Sequence, residues 1–264
     1  MNISIIGAGN MGSSIARALA KQGHQVSIYD VVSEKAQALK QEIDQLEVLD
    51  SIESASGADA VIIAVKPQVL PRLYLDLRRV DTDLWISIAA GVPLSVLEDH
   101  LGNNKVIRFM PNMAAAYSKA VTAIAVGSGV SLAAKEAAVE IASSFGSAFM
   151  LPESQFPAFT AISGSGIGFM LEFMHTLAMA GVNEGIPYAE SLNIVRDTLE
   201  SAVTLQKATG KNPVELETMV CSAAGTTIAG VRELEDKGFA KSLYAAVRAA
   251  SQKSMDMEAL AASR

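Results

Sequence analysis

The chain has few of the residues that usually carry nucleophilic, acid–base or metal chemistry. Its 264 residues include one cysteine, Cys221, and three histidines, His24, His100 and His175. A single cysteine excludes a disulfide framework and a cysteine-based metal site. The histidines are scattered and lack metal-ligand spacing, so no metal centre is expected. Aromatic residues make up only 5% of the chain, charged residues 19%, and the net charge is −7. No cluster of Lys and Arg is dense enough for a nucleic-acid or anionic-membrane surface, so neither is expected as a partner. The most apolar segment, 164–182, carries Glu172 and His175 and reads as a buried or interface helix rather than a membrane span. The sequence begins directly on a strand pattern, so no leader is expected and a cytoplasmic protein is expected.

What the chain does have is apolar residues, which make up half of it, and 19 glycines. That supplies a large core and a surplus suited to an oligomer interface. The glycines matter first at the N-terminus. Ile3-Ser4-Ile5-Ile6 has strand character, Gly7-Ala8-Gly9-Asn10-Met11-Gly12 follows at once, and residues 13–20 are good helix formers. Strand, G-x-G-x-x-G and helix in that order form the dinucleotide-binding fingerprint. Gly7 permits the tight turn, Gly9 lets a pyrophosphate approach the backbone, and Gly12 lets the helix pack close to the strand. The helix N-terminus offers free N–H groups and a positive dipole end to the phosphates.

Strand and helix patterns alternate through the first 150 residues, as in a parallel α/β sheet. Further strands are expected at 25–30, 48–49, 60–65, 85–91, 105–112, 122–126 and 148–151. Ser33 is expected to cap a helix over 34–45, and Pro93 to open a short helix ending near Gly102. Beyond Pro152 the strand patterns vanish. Helices are expected at 155–184, 188–209, 213–219, 227–237 and 240–262. The expected architecture is therefore α/β: a Rossmann-type dinucleotide-binding domain over 1–151, followed by an all-α domain over 152–264.

Asp30 ends the second strand, 18 residues past Gly12. An acid there accepts the hydroxyls of the adenosine ribose and repels a 2′-phosphate, which favours NADH over NADPH. Val65, Lys66 and Pro67 follow a buried strand at the edge where open α/β sheets bind ligands, and Lys66 is placed to reach ribose or phosphate. Ala89 and Ala90 are small enough to leave room for a nicotinamide ring. Arg108 and Met110-Pro111-Asn112 are expected as cleft walls at the same edge. Gly164 and Gly166 cost helix propensity, which suggests close helix–helix packing.

These segments together resemble pyrroline-5-carboxylate reductase over nearly the whole chain. The matching pieces are 6–12, Ala64-Val65-Lys66-Pro67-Gln68, Arg108-Phe109-Met110-Pro111-Asn112, 160–166, 180–187, and Gly225-Thr226-Thr227-Ile228-Ala229-Gly230-Val231 with Leu234-Glu235. The last three are the specific ones. The resemblance implies reduction of the cyclic imine 1-pyrroline-5-carboxylate to L-proline, the last step of proline biosynthesis, with NADPH or NADH. It also implies a helical dimerisation and substrate domain, and an active site shared between two chains of a homodimer. Thr227 then has the catalytic hydroxyl nearest the ring nitrogen. Ser222, Gly225, Thr226 and Thr227 bind the substrate carboxylate. Two departures stand out: Ile167-Gly168 replaces the family's usual proline and alanine, and Ser222-Ala223-Ala224-Gly225 replaces Ser-Pro-Gly-Gly.

The chemistry is consistent with the residues present. A cyclic imine takes its proton from solvent, so hydride transfer needs alignment and an anion site more than a strong acid or base. A helix opening at Gly225-Thr226-Thr227 supplies free N–H groups and hydroxyls for a carboxylate. A β-hydroxyacid dehydrogenase would need a lysine early in the helical domain, and none occurs between Lys135 and Lys207. A reductase of another cyclic imine, or a paralogue that binds dinucleotide without turnover, stays open on the two departures.

Overall fold

The first strand, β1 (Asn2–Ile6), is buried at every residue but the first and is flanked on both sides. It pairs in parallel with β2 (Gln25–Tyr29) and with β4 (Ala60–Ile63), placing Ile3 between Val26 and Ala60. Ile3, Ser4, Ile5 and Ile6 are all buried, and burial without alternation is what a strand covered on both faces shows. The computed structural model describes residues 1–263. It adds β3 (Glu47–Val48), β5 (Trp85–Ser87), β6 (Val106–Met110), β7 (Ala120–Val126) and β8 (Gly146–Met150), in the order β3-β2-β1-β4-β5-β6-β7-β8. The first six strands have the order of the doubly wound dinucleotide fold.

Helices α1 (Asn10–Lys21), α2 (Ser33–Glu42), α3 (Tyr74–Leu77), α4 (Leu94–Leu101) and α5 (Leu132–Ser143) connect these strands. Pro93 caps α4 at its start, and Gly102 ends it in the left-handed conformation (φ +64°). Helix α2 departs from expectation: Ser33 lies inside it, and no side chain caps it. Asp30 meets that end instead, its Oδ1 accepting the Val32 N–H at 2.9 Å.

The sheet is not wholly parallel. β6 and β7 are antiparallel, with Arg108 opposite Ala125. The link between them is a 3₁₀ segment, Met113–Tyr117. It is too short for the helical crossover that parallel neighbours need, so the chain turns straight back. Helix α5 then returns β8 parallel to β7.

The change to helix falls at Glu153, next to the expected boundary, but the compact units divide elsewhere. The first comprises 1–164 together with the segment from Ala250 onward, and the second is Ser165–Ala249. The physical reason is Phe156, which is fully buried in the same hydrophobic cluster as Trp85 and Ile63. Helix α6 (Phe156–Phe159) and a π-helical turn (Thr160–Gly164) thus complete the first unit. A methyl on Gly164 would make only ordinary contacts, 3.7 Å to Thr160 and 4.0 Å to Met110, so close packing does not require glycine there.

The second unit holds α7 (Ser165–Asn183), α8 (Tyr188–Thr209), α9 (Pro213–Val220), α10 (Thr226–Asp236) and the start of α11 (Phe239–Ala262). Helices α7 and α8 form an antiparallel hairpin. Its close contact is at Gly181, where a Cβ would fall 2.2 Å from Ser191 Oγ. Ser191 in turn donates to Ala178 O at 2.8 Å. Few residues of this unit are buried, and Met170, Leu171, Ile194, Val203, Val214 and Met219 are among its exposed apolar side chains.

Candidate functional site

The glycine loop is built as its sequence requires. Gly7 has φ +115°, and a side chain there would lie 2.7 Å from Ala64 O, so the loop after β1 rests against the loop after β4. A Cβ on Gly12 would fall 2.0 Å from Gly7 O, which fixes how closely α1 approaches its strand. Gly9 is different: a Cβ there would meet nothing within 4 Å. It is the N-cap of α1 and makes no side-chain cap bond. The first amides of α1 therefore face open space beside a residue without a side chain, an arrangement that suits a pyrophosphate. Ala8 is buried and Asn10 exposed, with Met11 half-buried beside them.

Asp30 is half-buried and already engaged. Its Oδ2 accepts the Ala8 N–H at 2.7 Å, and its Oδ1 accepts the Val32 N–H. A carboxylate has about four lone-pair sites, so each oxygen keeps capacity for a ribose hydroxyl. Asp30 thus also ties the glycine loop to the end of β2.

Val65, Lys66 and Pro67 follow β4, and Ala89 and Ala90 follow β5. These residues, with Gly7–Gly12 and Asp30, lie at the C-terminal ends of four adjacent parallel strands. Several strands stop short of their expected ends because the chain there turns into these loops: β4 ends at Ile63 and β5 at Ser87. Lys66 is exposed, Val65 and Ala90 half-buried, and Ala89 buried. Gly91, at φ +74°, has Met257 Cβ 3.0 Å from the position of its missing side chain. The end of α11 thus backs the loop that carries Ala89 and Ala90.

Arg108 is not a cleft wall. It is the third residue of β6 and is only 1% exposed. Its guanidinium bonds Glu153 at 2.8 Å and Glu258 of α11 at 2.7 Å, and it sits 4.7 Å from the centre of the Phe156 ring. Glu153 Oε1 also accepts the Leu94 N–H at 2.7 Å. Asn112 is likewise structural. It is buried, accepts the Ala114 and Val121 amides, and donates to Ser163 Oγ at 3.1 Å. Ser163 belongs to a serine–glycine run whose polar partner could not be read locally.

In the second unit, α10 begins at Thr226 with Gly225 as its N-cap, and no side chain caps it. Thr226 and Thr227 therefore occupy the first two helical positions, and neither performs the capping role usual for a threonine at a helix start. Thr227 is half-buried and Thr226 exposed. Ser222 is close by: a Cβ on Gly225 would lie 2.2 Å from Ser222 Oγ. Two hydroxyl-bearing residues at an uncapped helix N-terminus, with a serine folded over the cap, form a set of donors suited to a carboxylate. Among the described residues, no group of three or more His, Cys, Asp or Glu is placed to hold a metal ion.

Two family models match the chain. Residues 2–91 match a family described as NADP oxidoreductase, coenzyme F420-dependent, and residues 153–257 match pyrroline-5-carboxylate reductase dimerisation. A pyrroline-5-carboxylate reductase of Methanosarcina acetivorans is 37% identical over 97% of this chain and 97% of its own length. Among solved structures, the 1-pyrroline-5-carboxylate reductase of Streptococcus pyogenes is 32% identical, with a TM-score of 0.86 over 97% of this chain and 98% of that one. The Plasmodium falciparum pyrroline carboxylate reductase, solved with NADP bound, is 25% identical, with a TM-score of 0.85 over 98% of each chain. With likeness at this level running through both the nucleotide-binding and the helical unit, the chain belongs to the pyrroline-5-carboxylate reductase family.

Proposed function

We propose that this protein is an oxidoreductase that reduces the ring C=N of 1-pyrroline-5-carboxylate to L-proline, using NADPH or NADH. The observation that carries the reading is the full-length likeness to curated reductases. When bound, the cofactor supplies the hydride that adds to the imine carbon, and the ring nitrogen keeps a proton derived from solvent. The first amides of α1 beside Gly9 hold the pyrophosphate, and Ala8, Asn10 and Met11 complete that loop. Asp30 orients the adenosine ribose, while Val65, Lys66, Pro67, Ala89 and Ala90 wall the rest of the nucleotide. Thr226, Thr227, Gly225 and Ser222 fix the substrate carboxylate, and Thr227 presents its hydroxyl to the ring nitrogen. Neutral hydroxyls suffice because the imine arrives protonated.

The working form is a homodimer or a larger assembly built on dimers, located in the cytoplasm. The dimerisation model over 153–257 and the exposed apolar side chains of the second unit support the assembly. The segment Glu153–Asn183 is long and apolar enough to cross a membrane by composition alone. It carries Glu172 and His175, and His175 Nδ1 lies 3.0 Å from Tyr188 OH, so its exposed face reads as a protein contact.

The test is oxidation of NADH and NADPH by purified protein, with and without 1-pyrroline-5-carboxylate. Substrate-dependent oxidation with proline as product is expected. Cofactor binding without turnover, or turnover restricted to other cyclic imines, would overturn the assignment and return attention to Ile167-Gly168 and Ala223-Ala224.

Asp30→Ser should shift the ratio of kcat/KM values toward NADPH, because a carboxylate that repels a 2′-phosphate is gone. It should also raise KM for both cofactors, since the Ala8 N–H loses its partner. An unchanged ratio would remove Asp30 from the ribose site.

A further inference from the structure

The turn that leads into α10 has residues poorly matched to its shape. The Gly225 N–H donates to Ser222 O at 3.0 Å and closes a four-residue β-turn. Ala224, its third residue, has φ +57°, whereas Ala223, its second, does not have a positive φ. A positive φ at the third position alone is the type II pattern, which favours proline second and glycine third. Here both are alanine. In the left-handed region the alanine Cβ crowds the following carbonyl, and alanine at the second position leaves φ unrestrained where proline would preset it.

Nothing within the unit offsets this. Ala223 and Ala224 are both exposed, so no packing holds their methyl groups. The other non-glycine residue with positive φ, Ser118, is accounted for locally. It ends the 3₁₀ segment, where Lys119 N–H donates to Ala114 O at 3.0 Å. Strained backbone at an exposed turn persists when something else fixes it, and such outliers concentrate at ligand clamps.

We infer that the Ser222–Gly225 turn is ordered by its ligand, and that Ala224 is a positioning residue which makes substrate binding, not hydride transfer, bear the strain. The inference rests on the proposal that this turn and α10 hold the imine carboxylate. A binding-competent turn that is only fractionally populated raises the apparent dissociation constant by the reciprocal of that fraction and leaves the bound complex unchanged.

The experiment compares the full-length protein with Ala224→Gly, Ala223→Pro and Ala224→Val. Ala224→Gly should lower KM for 1-pyrroline-5-carboxylate by about three- to tenfold, from the left-handed penalty less glycine's greater chain entropy. Ala223→Pro should act in the same direction, and Ala224→Val should raise KM, since a β-branched residue fits positive φ worst. In all three, kcat and the cofactor KM should stay within about twofold. Hydrogen exchange gives a readout without turnover. Added proline should slow exchange of the 223–226 amides in the parent, and in Ala224→Gly these should already be slow without it. An active parent whose KM does not move in Ala224→Gly, or whose turn amides are equally protected with and without proline, overturns the inference alone. A parent with neither turnover nor proline-dependent protection overturns the substrate assignment and the inference with it.

Discussion

Replacing Thr227 by alanine should lower kcat/KM for the imine at least tenfold. The threonine is the second residue of α10, half-buried, and the N-cap position is held by Gly225, so Thr227 does not cap the helix. Its hydroxyl is thus not explained by local helix chemistry, which is the usual reason for a threonine at that position. A hydrogen bond to a charged group contributes about 1.5–3 kcal/mol, and each 1.36 kcal/mol of transition-state stabilisation is tenfold in rate. If the bond strengthens as the ring nitrogen becomes an amine, the loss appears in kcat. If it serves only the carboxylate, KM rises alone. Thr227→Ser should restore most of the rate, because it keeps the oxygen. Cofactor KM and thermal stability should be unaffected in both variants. Steady-state kinetics of the pair decide the matter, and an alanine variant with parental kcat/KM would take Thr227 out of the site.

Arg108→Ala should be the most damaging substitution for stability, at about 3–5 kcal/mol, the range for removing one partner of a buried ion pair. The guanidinium is 1% exposed and serves two carboxylates, those of Glu153 and Glu258. Its removal leaves both acids partly buried without a cation and opens a cavity against Phe156. Glu153 also holds the start of α4, and Glu258 holds α11, so the damage should spread to both helices. Urea unfolding should show the midpoint falling with little change in slope. The charge is not itself the source of stability. The combination Arg108→Met, Glu153→Gln and Glu258→Leu should recover most of the loss, because an apolar replacement of a whole buried cluster is often neutral or better. Glu153→Gln keeps a side-chain carbonyl oxygen to accept the Leu94 N–H. A single alanine variant that loses less than about 1 kcal/mol would mean that water or another cation takes the site.

The elements themselves were legible from hydrophobic period and from glycine and proline. The strand–glycine–helix opening, the run of buried strands and the five long helices after Pro152 all lie where their residues place them. Strand direction was less accessible. β6 and β7 look like any other pair in sequence, and only the short link over 111–119 signals that they are antiparallel. Arg108 could not be read at all. Its partners lie 45 and 150 residues away, and a lone arginine in a strand says nothing about either. A comparably long separation in sequence hid Met257, which supports Gly91. The glycines at 164 and 166 were a real anomaly: Gly164 ends a π-helical turn and needs no close packing, while Gly166 lies buried in α7. The Ala-Ala turn was visible as a departure. Its left-handed backbone was not, since alanine does not announce that conformation as glycine does.

The sparse interior of the second unit has a consequence for how the protein comes to be folded. The buried residues of its helices are few and small: Gly166, Ala178, Ser191, Val195 and Leu216. Such a unit gains little from closing on itself. If the proposed dimer covers the exposed apolar side chains of this unit, folding and association become a single bimolecular event. Mass action then governs both. Dilution would unfold the helices as surely as heat, refolding would slow as the protein becomes scarcer, and the melting temperature would rise with the logarithm of protein concentration.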